Sequence, residues 1–406
     1  MLLYISSTLS GSHGLGQSGL DVLVALLESG HPTLVCTKDS TKFTNDLCKF
    51  TSLTPDIARL EGNLKLPKKV GRYFVKILIQ RVKQKIFTEN VNQKFLTKIS
   101  SCSPKLVIVN SIGSHDFWIK VKQEIPDFHK SVLIVRESPR HFHASTKLSL
   151  SKVIQTLQQY DYLIFVSKNC QNEWLELAKL NPNRLFYLPN CCREDLVAKI
   201  KSKSRVSLRK KLNLSPGKLT ISCVASLQPR KGQDILVNVF PSIISMVPDV
   251  KLYLIGPVNS IHHGQWFDSL SNKISSEKLC KNIKYLGPKK NSLEYIYASD
   301  FVILPSRAEA MPRVILEAMA LGTPIIASDV DGVSELIENR KSGLLFASEN
   351  HEELISAFDF AVNYPKEIEK MTQIAEKRYW EKFSRLKQIS RYRHVIDQML
   401  DQENLC

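Results

Sequence analysis

Short apolar runs alternate with helix-patterned segments from one end of this chain to the other, and that alternation limits it to layered α/β architectures. In the first half, Leu2–Ser6, Thr33–Thr37, Leu106–Asn110, Val132–Val135, Leu163–Val166 and Leu185–Leu188 read as buried strands bounded by polar or Gly/Pro punctuation. The second half repeats the pattern with Thr220–Val224, Leu252–Ile255, Ile283–Leu286, Phe301–Leu304, Pro324–Ala327 and Leu344–Phe346. Strands that are apolar on both faces belong to parallel sheets covered by helices on both sides. The chain has 406 residues, too many for one core and suited to two. The expected architecture is two doubly wound, Rossmann-like domains facing an interdomain cleft. The first spans 1–192, a polar and basic linker 193–217, the second domain 218–383, and a C-terminal helical segment 384–406.

Composition narrows the function classes. No apolar run approaches the roughly 18 residues of a membrane span. Met1-Leu-Leu-Tyr-Ile5 lacks the basic start and cleavage pattern of a signal peptide. The nine cysteines are scattered, odd in number and without Cys-x-x-Cys, which argues against a disulfide framework or zinc site and for a cytoplasmic chain. Charge is the unusual property: 56 basic residues against 39 acidic give +17, and residues 1–200 hold 27 basic and 16 acidic. Such a surplus implies an anionic partner. No segment matches a nucleic-acid module, so a lipid surface or a phosphorylated ligand is the expected one.

The strongest local signal lies at 301–324. Phe301-Val-Ile-Leu-Pro305 is a strand, Ser306-Arg-Ala-Glu-Ala-Met311 a loop at its carboxyl end, and Pro312 to Leu321 a helix with Gly322 just beyond. Such a helix aims free N–H groups and a positive dipole end at whatever sits over the sheet, a site suited to a diphosphate. Glu309 in the loop and Glu317 in the helix are placed to face one ligand. Upstream, Arg230 and Lys231 stand in a strand-to-helix turn, Val224-Ala-Ser-Leu-Gln-Pro-Arg-Lys-Gly232, where a fork and a point charge can neutralise a diphosphate.

The run Ser-x-x-Glu-x-Met-Pro-x-Val-x-Leu-Glu-Ala-Met-Ala-x-Gly-x-Pro-Ile-Ile-Ala-Ser, from Ser306 to Ser328, resembles the donor-site signature of retaining glycosyltransferases of the GT-B fold, family 4, with its Glu-x7-Glu at Glu309 and Glu317. The resemblance extends over nearly the whole chain. It implies a nucleotide-sugar donor, of UDP or GDP type, as a substrate and not a cofactor. A glycan, lipid-linked or small-molecule acceptor would sit on the first domain, and the last helix would return toward that domain. It makes Glu309 the catalytic carboxylate at the donor sugar and Glu317 the holder of the ribose hydroxyls. Backbone N–H groups of Ala310, Met311, Arg313 and Val314 would meet the phosphates. Lys231 matches the family's phosphate-gripping Lys; the family's Arg position holds Ser226 here, and Arg230 is the candidate substitute. Gly16, in Gly11-Ser-His-Gly-Leu-Gly-Gln-Ser-Gly19, corresponds to the family's first glycine-containing loop. Its Gly14-x-Gly16-x-x-Gly19 spacing also fits a dinucleotide fingerprint, but the second half carries the stronger nucleotide signature, so no nicotinamide cofactor is expected. Where many relatives place a His at a strand end, this chain has Arg136 and Glu137, with His141 and His143 further on; Asn110 is a similar strand-end candidate. Asp329-Val-Asp331 spells a metal-binding pair of other glycosyltransferase folds, but its position after a strand reads as a structural turn, and no metal is expected.

From Gly62 to Thr88 there are eight Lys or Arg and no acid, with Val70, Phe74, Leu78, Val82 and Ile86 at four-residue spacing. That is an apolar stripe on a basic helix, either a solvated domain helix or, over 63–87, a contact with anionic membrane. The expected function is retaining, metal-independent glycosyl transfer by a chain peripheral to the cytosolic face of a membrane. The alternatives are a non-catalytic polyanion- or membrane-binding protein and a nucleotide-sugar epimerase of similar fold.

Overall fold

The computed structural model describes residues 2–6, 22–23, 25–26, 33–37, 104–122, 130–144, 146–215 and 217–401. Gly16 and the basic stretch 63–87 lie outside the described residues. The chain divides into two compact units, one of Met1–Asn190 with Arg385–Cys406 and one of Cys191–Ser384.

The first unit holds a six-stranded sheet in the order β2-β1-β3-β4-β5-β6, with β1 Leu2–Ser6, β2 Thr33–Thr37, β3 Leu106–Asn110, β4 Lys130–Val135, β5 Tyr162–Phe165 and β6 Leu185–Tyr187. Every pairing is parallel. All residues of β1 and β3 are buried, as strands covered on both faces require. Leu3, Val107, Leu133 and Phe165 share one core with Trp174, which comes from the helix Lys168–Ala178. The helix Arg385–Asp401 groups with this unit. Lys130, at the start of β4, donates to the Met399 carbonyl in that helix's last turn at 3.0 Å, a cation placed against the negative end of the helix.

The second unit repeats the plan in the order β12-β11-β10-β7-β8-β9, with β7 Thr220–Val224, β8 Lys251–Ile255, β9 Ile283–Tyr285, β10 Phe301–Leu304, β11 Ile325–Asp329 and β12 Leu344–Ala347. All pairs are again parallel. The order reverses between β7 and β10, which are neighbours in the register Phe301↔Ile221 and Val302↔Ser222. Chain leaving the carboxyl ends of those two strands departs to opposite faces and leaves a crevice, the usual ligand position in open α/β sheets. Among the described residues no helix is long and apolar enough to cross a membrane.

The segment expected as a linker over 193–217 is not a bare connection. It forms two helices, Glu194–Lys201 and Arg205–Lys211, within the second unit, with Val197, Ile200 and Leu208 buried. Two of its basic residues cap the carboxyl end of the helix Ser292–Ala298: Arg209 Nε donates to the Ala298 carbonyl at 2.8 Å, and Arg205 reaches the Ser299 carbonyl. Buried Glu294 ties the segment down, with Lys203 at 2.7 Å and Lys211 at 2.8 Å. Burial would raise the Glu294 carboxyl, but hydrogen bonds from Asn291 and the two lysines pull it to about 2. A lowered carboxyl contributes stability above its ordinary value near 4.5, and that contribution is lost as pH falls through about 2. Glu294→Gln is expected to cost about 1–2 kcal/mol at neutral pH, the lysines being partly solvated. Its stability should flatten between pH 4.5 and 2, where the wild type weakens, as measured by thermal melts across that range.

Candidate active site

The turn after β7 and the loop after β10 meet at the strand-order reversal. Pro229–Lys231 makes one tight turn, and Gly232 follows at φ 66°, opening the helix Gln233–Met246. A Cβ on Gly232 would sit 1.8 Å from the Pro305 carbonyl oxygen, so only glycine lets the turn press against the end of β10. The contact is laced on both sides: the Arg307 N–H donates to the Arg230 carbonyl at 2.8 Å, and Arg230 Nη1 donates to the Ala308 carbonyl at 2.7 Å.

This lacing brings three charges together. Lys231 Nζ donates to Glu309 Oε1, Arg230 Nη1 lies 3.7 Å from Glu309 Oε2, and Ser306 Oγ donates to Oε1 at 2.8 Å. Glu309 is 5% exposed, so the pair works in a low dielectric where charge interactions are strong. Burial by itself would raise the Glu309 carboxyl; Lys231 and Arg230 overcome it and hold the group below the ordinary carboxylate range. Burial pushes the Lys231 ammonium down, against the pull of Glu309. The trio is two cations on one carboxylate, a surplus of one positive charge.

The helix expected from Pro312 runs Arg313–Leu321, with Pro312 as its N-cap and Gly322 closing it at φ 65°. Its first turn has no acidic residue and no side-chain cap. Met311 and Val314 are buried. Arg313 Nη2 lies 3.8 Å from Glu317 Oε1 one turn on, and its Nη1 donates to the Cys191 carbonyl at 3.3 Å. Glu317 thus stands in a pair with Arg313, apart from the Glu309 trio. Ser226, at the family's Arg position, accepts from Gln228 Nε2 at 2.6 Å and takes no part in the trio.

Two participants were not foreseen. Asp331 adopts φ 40°, and its Oδ2 accepts the Glu309 N–H at 2.8 Å while the Gly332 N–H returns to the Glu309 carbonyl at 3.0 Å. The Asp-x-Asp pair thus contributes a turn that grips the Glu309 backbone. Arg307, next but one to Glu309, forks onto Asp234 at 2.9 and 2.7 Å. An Asp in a first helical turn and an Arg in a loop carry no sequence signal for pairing across 73 residues.

In the first unit, Asn110, Arg136 and Glu137 come together at the carboxyl ends of β3 and β4. Arg136 Nε donates to Asn110 Oδ1 at 2.8 Å, Arg136 Nη1 to Asn190 Oδ1 at 2.9 Å, and Asn110 Nδ2 to Ser6 Oγ at 3.2 Å. Glu137 Oε2 accepts the Arg136 N–H at 2.9 Å. His141 pairs with Ser138 at 2.7 Å, and His143 is exposed. Ser111 follows β3, fully buried, at φ 74° and ψ 154°, a backbone region nearly confined to glycine. Its Oγ has no hydrogen-bond partner among the described residues.

Residues 204–378 match the profile of the family described as Glycosyl transferases group 1. A Haemophilus influenzae protein described as an uncharacterized glycosyltransferase is 26% identical over 233 residues, 55% of this chain and 60% of that one. D-inositol 3-phosphate glycosyltransferase of Rhodococcus erythropolis is 30% identical over 202 residues, 48% of this chain and 43% of that one. The matches thus span about half the length of these curated relatives. The crystal structure of Anabaena HepE with UDP-glucose superposes with a TM-score of 0.76 at 16% identity, covering 98% of this chain and 100% of HepE. At that identity the likeness is one of fold.

Proposed function

We propose that this protein, whose residues 204–378 match glycosyl transferases group 1 and whose fold is GT-B, is a retaining glycosyltransferase that moves a sugar from a nucleotide-sugar to a hydroxyl acceptor without a metal. The observation that carries the reading is the Lys231–Glu309–Arg230 trio at the strand-order reversal of the second sheet, formed by the turn after β7 and the loop that leads into the Arg313–Leu321 helix. When the donor bond breaks, charge grows on the diphosphate, and preorganised cations that meet it there stabilise the transition state more than the ground state. Lys231, Arg230 and the helix N-terminus would supply that charge, the task a divalent ion performs elsewhere. Glu309, ionised at neutral pH, would face the electron-poor sugar carbon and anchor its hydroxyls. Glu317 would take the ribose, and the acceptor hydroxyl would attack from the face the diphosphate leaves.

The name of the Rhodococcus relative points to a phosphorylated acceptor, D-inositol 3-phosphate. That fits a chain of net charge +17 and a membrane-resting role for residues 63–87. The buried polar group around Asn110, Arg136 and Ser111 would meet acceptor hydroxyls. The deciding experiment is a thermal-shift panel of UDP, GDP, ADP and their sugar conjugates, run with EDTA throughout. One nucleoside diphosphate at 100 times its Kd should add about 2.7 kcal/mol, a rise of about 5–10 °C for a domain of this size. Sugar transfer from the matching donor should persist in EDTA. Absence of any nucleotide shift sinks the enzyme reading; a shift or turnover that requires magnesium or manganese sinks the metal-free one.

A further inference from the structure

Arg307 joins three stretches of the second unit at one guanidinium. Its two terminal nitrogens fork onto Asp234, at 2.9 and 2.7 Å, in the first turn of the helix behind Lys231. Nη1 also reaches the Pro229 carbonyl, in the turn that carries Lys231, and Nε reaches Glu349, just after β12. The Arg307 N–H holds the Arg230 carbonyl, and Glu309 stands two residues further along the same loop. Arg307 is thus rooted in the Glu309 loop and gripped by the Lys231 turn. A planar bidentate fork fixes direction as well as distance, which a flexible ammonium does not. Among the described residues, these two acids and one carbonyl accept all the hydrogen bonds of its guanidinium.

We infer that Arg307 is a positioning residue that sets Lys231 against the distal phosphate of a bound nucleoside diphosphate. The inference rests on the reading of Lys231 as the phosphate grip. It assigns no contact between Arg307 and substrate. The Gly232–Pro305 contact sets how close turn and loop approach, and the fork sets their rotation about that contact, which decides where the Lys231 ammonium points.

The test reads the ratio of UDP to UMP affinity by isothermal titration, since only UDP carries the distal phosphate; GDP and GMP replace them if the panel selects guanine. In Arg307→Ala the preference for the diphosphate is expected to fall about 5- to 50-fold, with UMP affinity held within about twofold. Arg307→Lys, which keeps the charge without the fork, is expected to restore only part of it. Arg307→Ala in a Lys231→Ala background should lose nothing further, because the two act through one contact. A wild-type ratio in Arg307→Ala, an equal loss for UDP and UMP, or additive losses in the double variant would each overturn the inference while leaving an effective Lys231→Ala and the site reading intact. A wild-type ratio in Lys231→Ala itself overturns both. Should Arg307→Ala fail to fold, Asp234→Asn removes the fork's partner at nearly constant volume and is expected to show the same selective loss.

Discussion

Lys231→Ala is expected to lower donor use by about 10- to 150-fold, the loss of one charge-assisted contact of about 1.5–3 kcal/mol at about 1.4 kcal/mol per decade. The loss should be larger in kcat than in donor affinity, because the diphosphate gains charge as its bond breaks. UDP or GDP itself, with that charge fully developed, should lose more affinity than the intact donor. Lys231 is one of 56 basic residues, so a protein that merely attracts polyanions would not register its removal. The variant also strands the Glu309 carboxylate, buried with Arg230 at 3.7 Å as its remaining cation. Removing one member of a buried pair is costly to folding, so Tm should fall as well. Adding Glu309→Gln to Lys231→Ala separates the two effects: stability should recover in part, since no uncompensated charge remains, and donor use should not recover. Recovery of both would mean that the pair is structural.

Glu309→Gln alone is expected to cut turnover by about 100-fold or more, the scale of losing one preorganised electrostatic group at a reacting centre. Nucleoside diphosphate affinity should stay within a few fold or tighten, because the amide no longer competes for Lys231 and Arg230. Glu317→Ala should show the converse, weakened nucleotide binding. The wild-type acid limb is diagnostic too. The Glu309 carboxyl is held below its ordinary value near 4.5, so its protonation should suppress turnover only below that pH. Full turnover in Glu309→Gln with a verified donor and acceptor would remove it from the catalytic role.

What could be read from the chain alone was whatever short-range chemistry dictates. A strand such as Val107-Ile-Val-Asn110 announces itself because every residue must be buried, and a Pro–Gly bracket around 312–322 marks a helix without reference to its neighbours. Both loops of the site were legible for the same reason: each is the few residues between a strand end and a helix start. The segment 193–217 misled because Lys and Arg usually mean solvent, whereas here Arg205, Arg209 and Lys211 meet partners more than 80 residues away. The weak apolar pair Val197 and Ile200 was the sign that the segment packs. The turn at Asp331 was legible, but its grip on Glu309 and the pairing of Arg307 were not, because those partners are fixed by strand order, which brings β7, β10 and β11 side by side. Arg136 and Asn110 could be placed at strand ends, but their mutual bond depends on β3 pairing with β4.

The contact between Gly232 and the Pro305 carbonyl bears on how such a protein can be re-engineered. The separation between the cationic turn and the carboxylate loop is set there by backbone touching backbone, with no side chain whose size could be traded up or down. Residue 232 therefore offers no graded substitution, because any side chain there forces the turn and loop apart. Libraries aimed at the spacing of this site should hold 229–232 constant and place their diversity elsewhere.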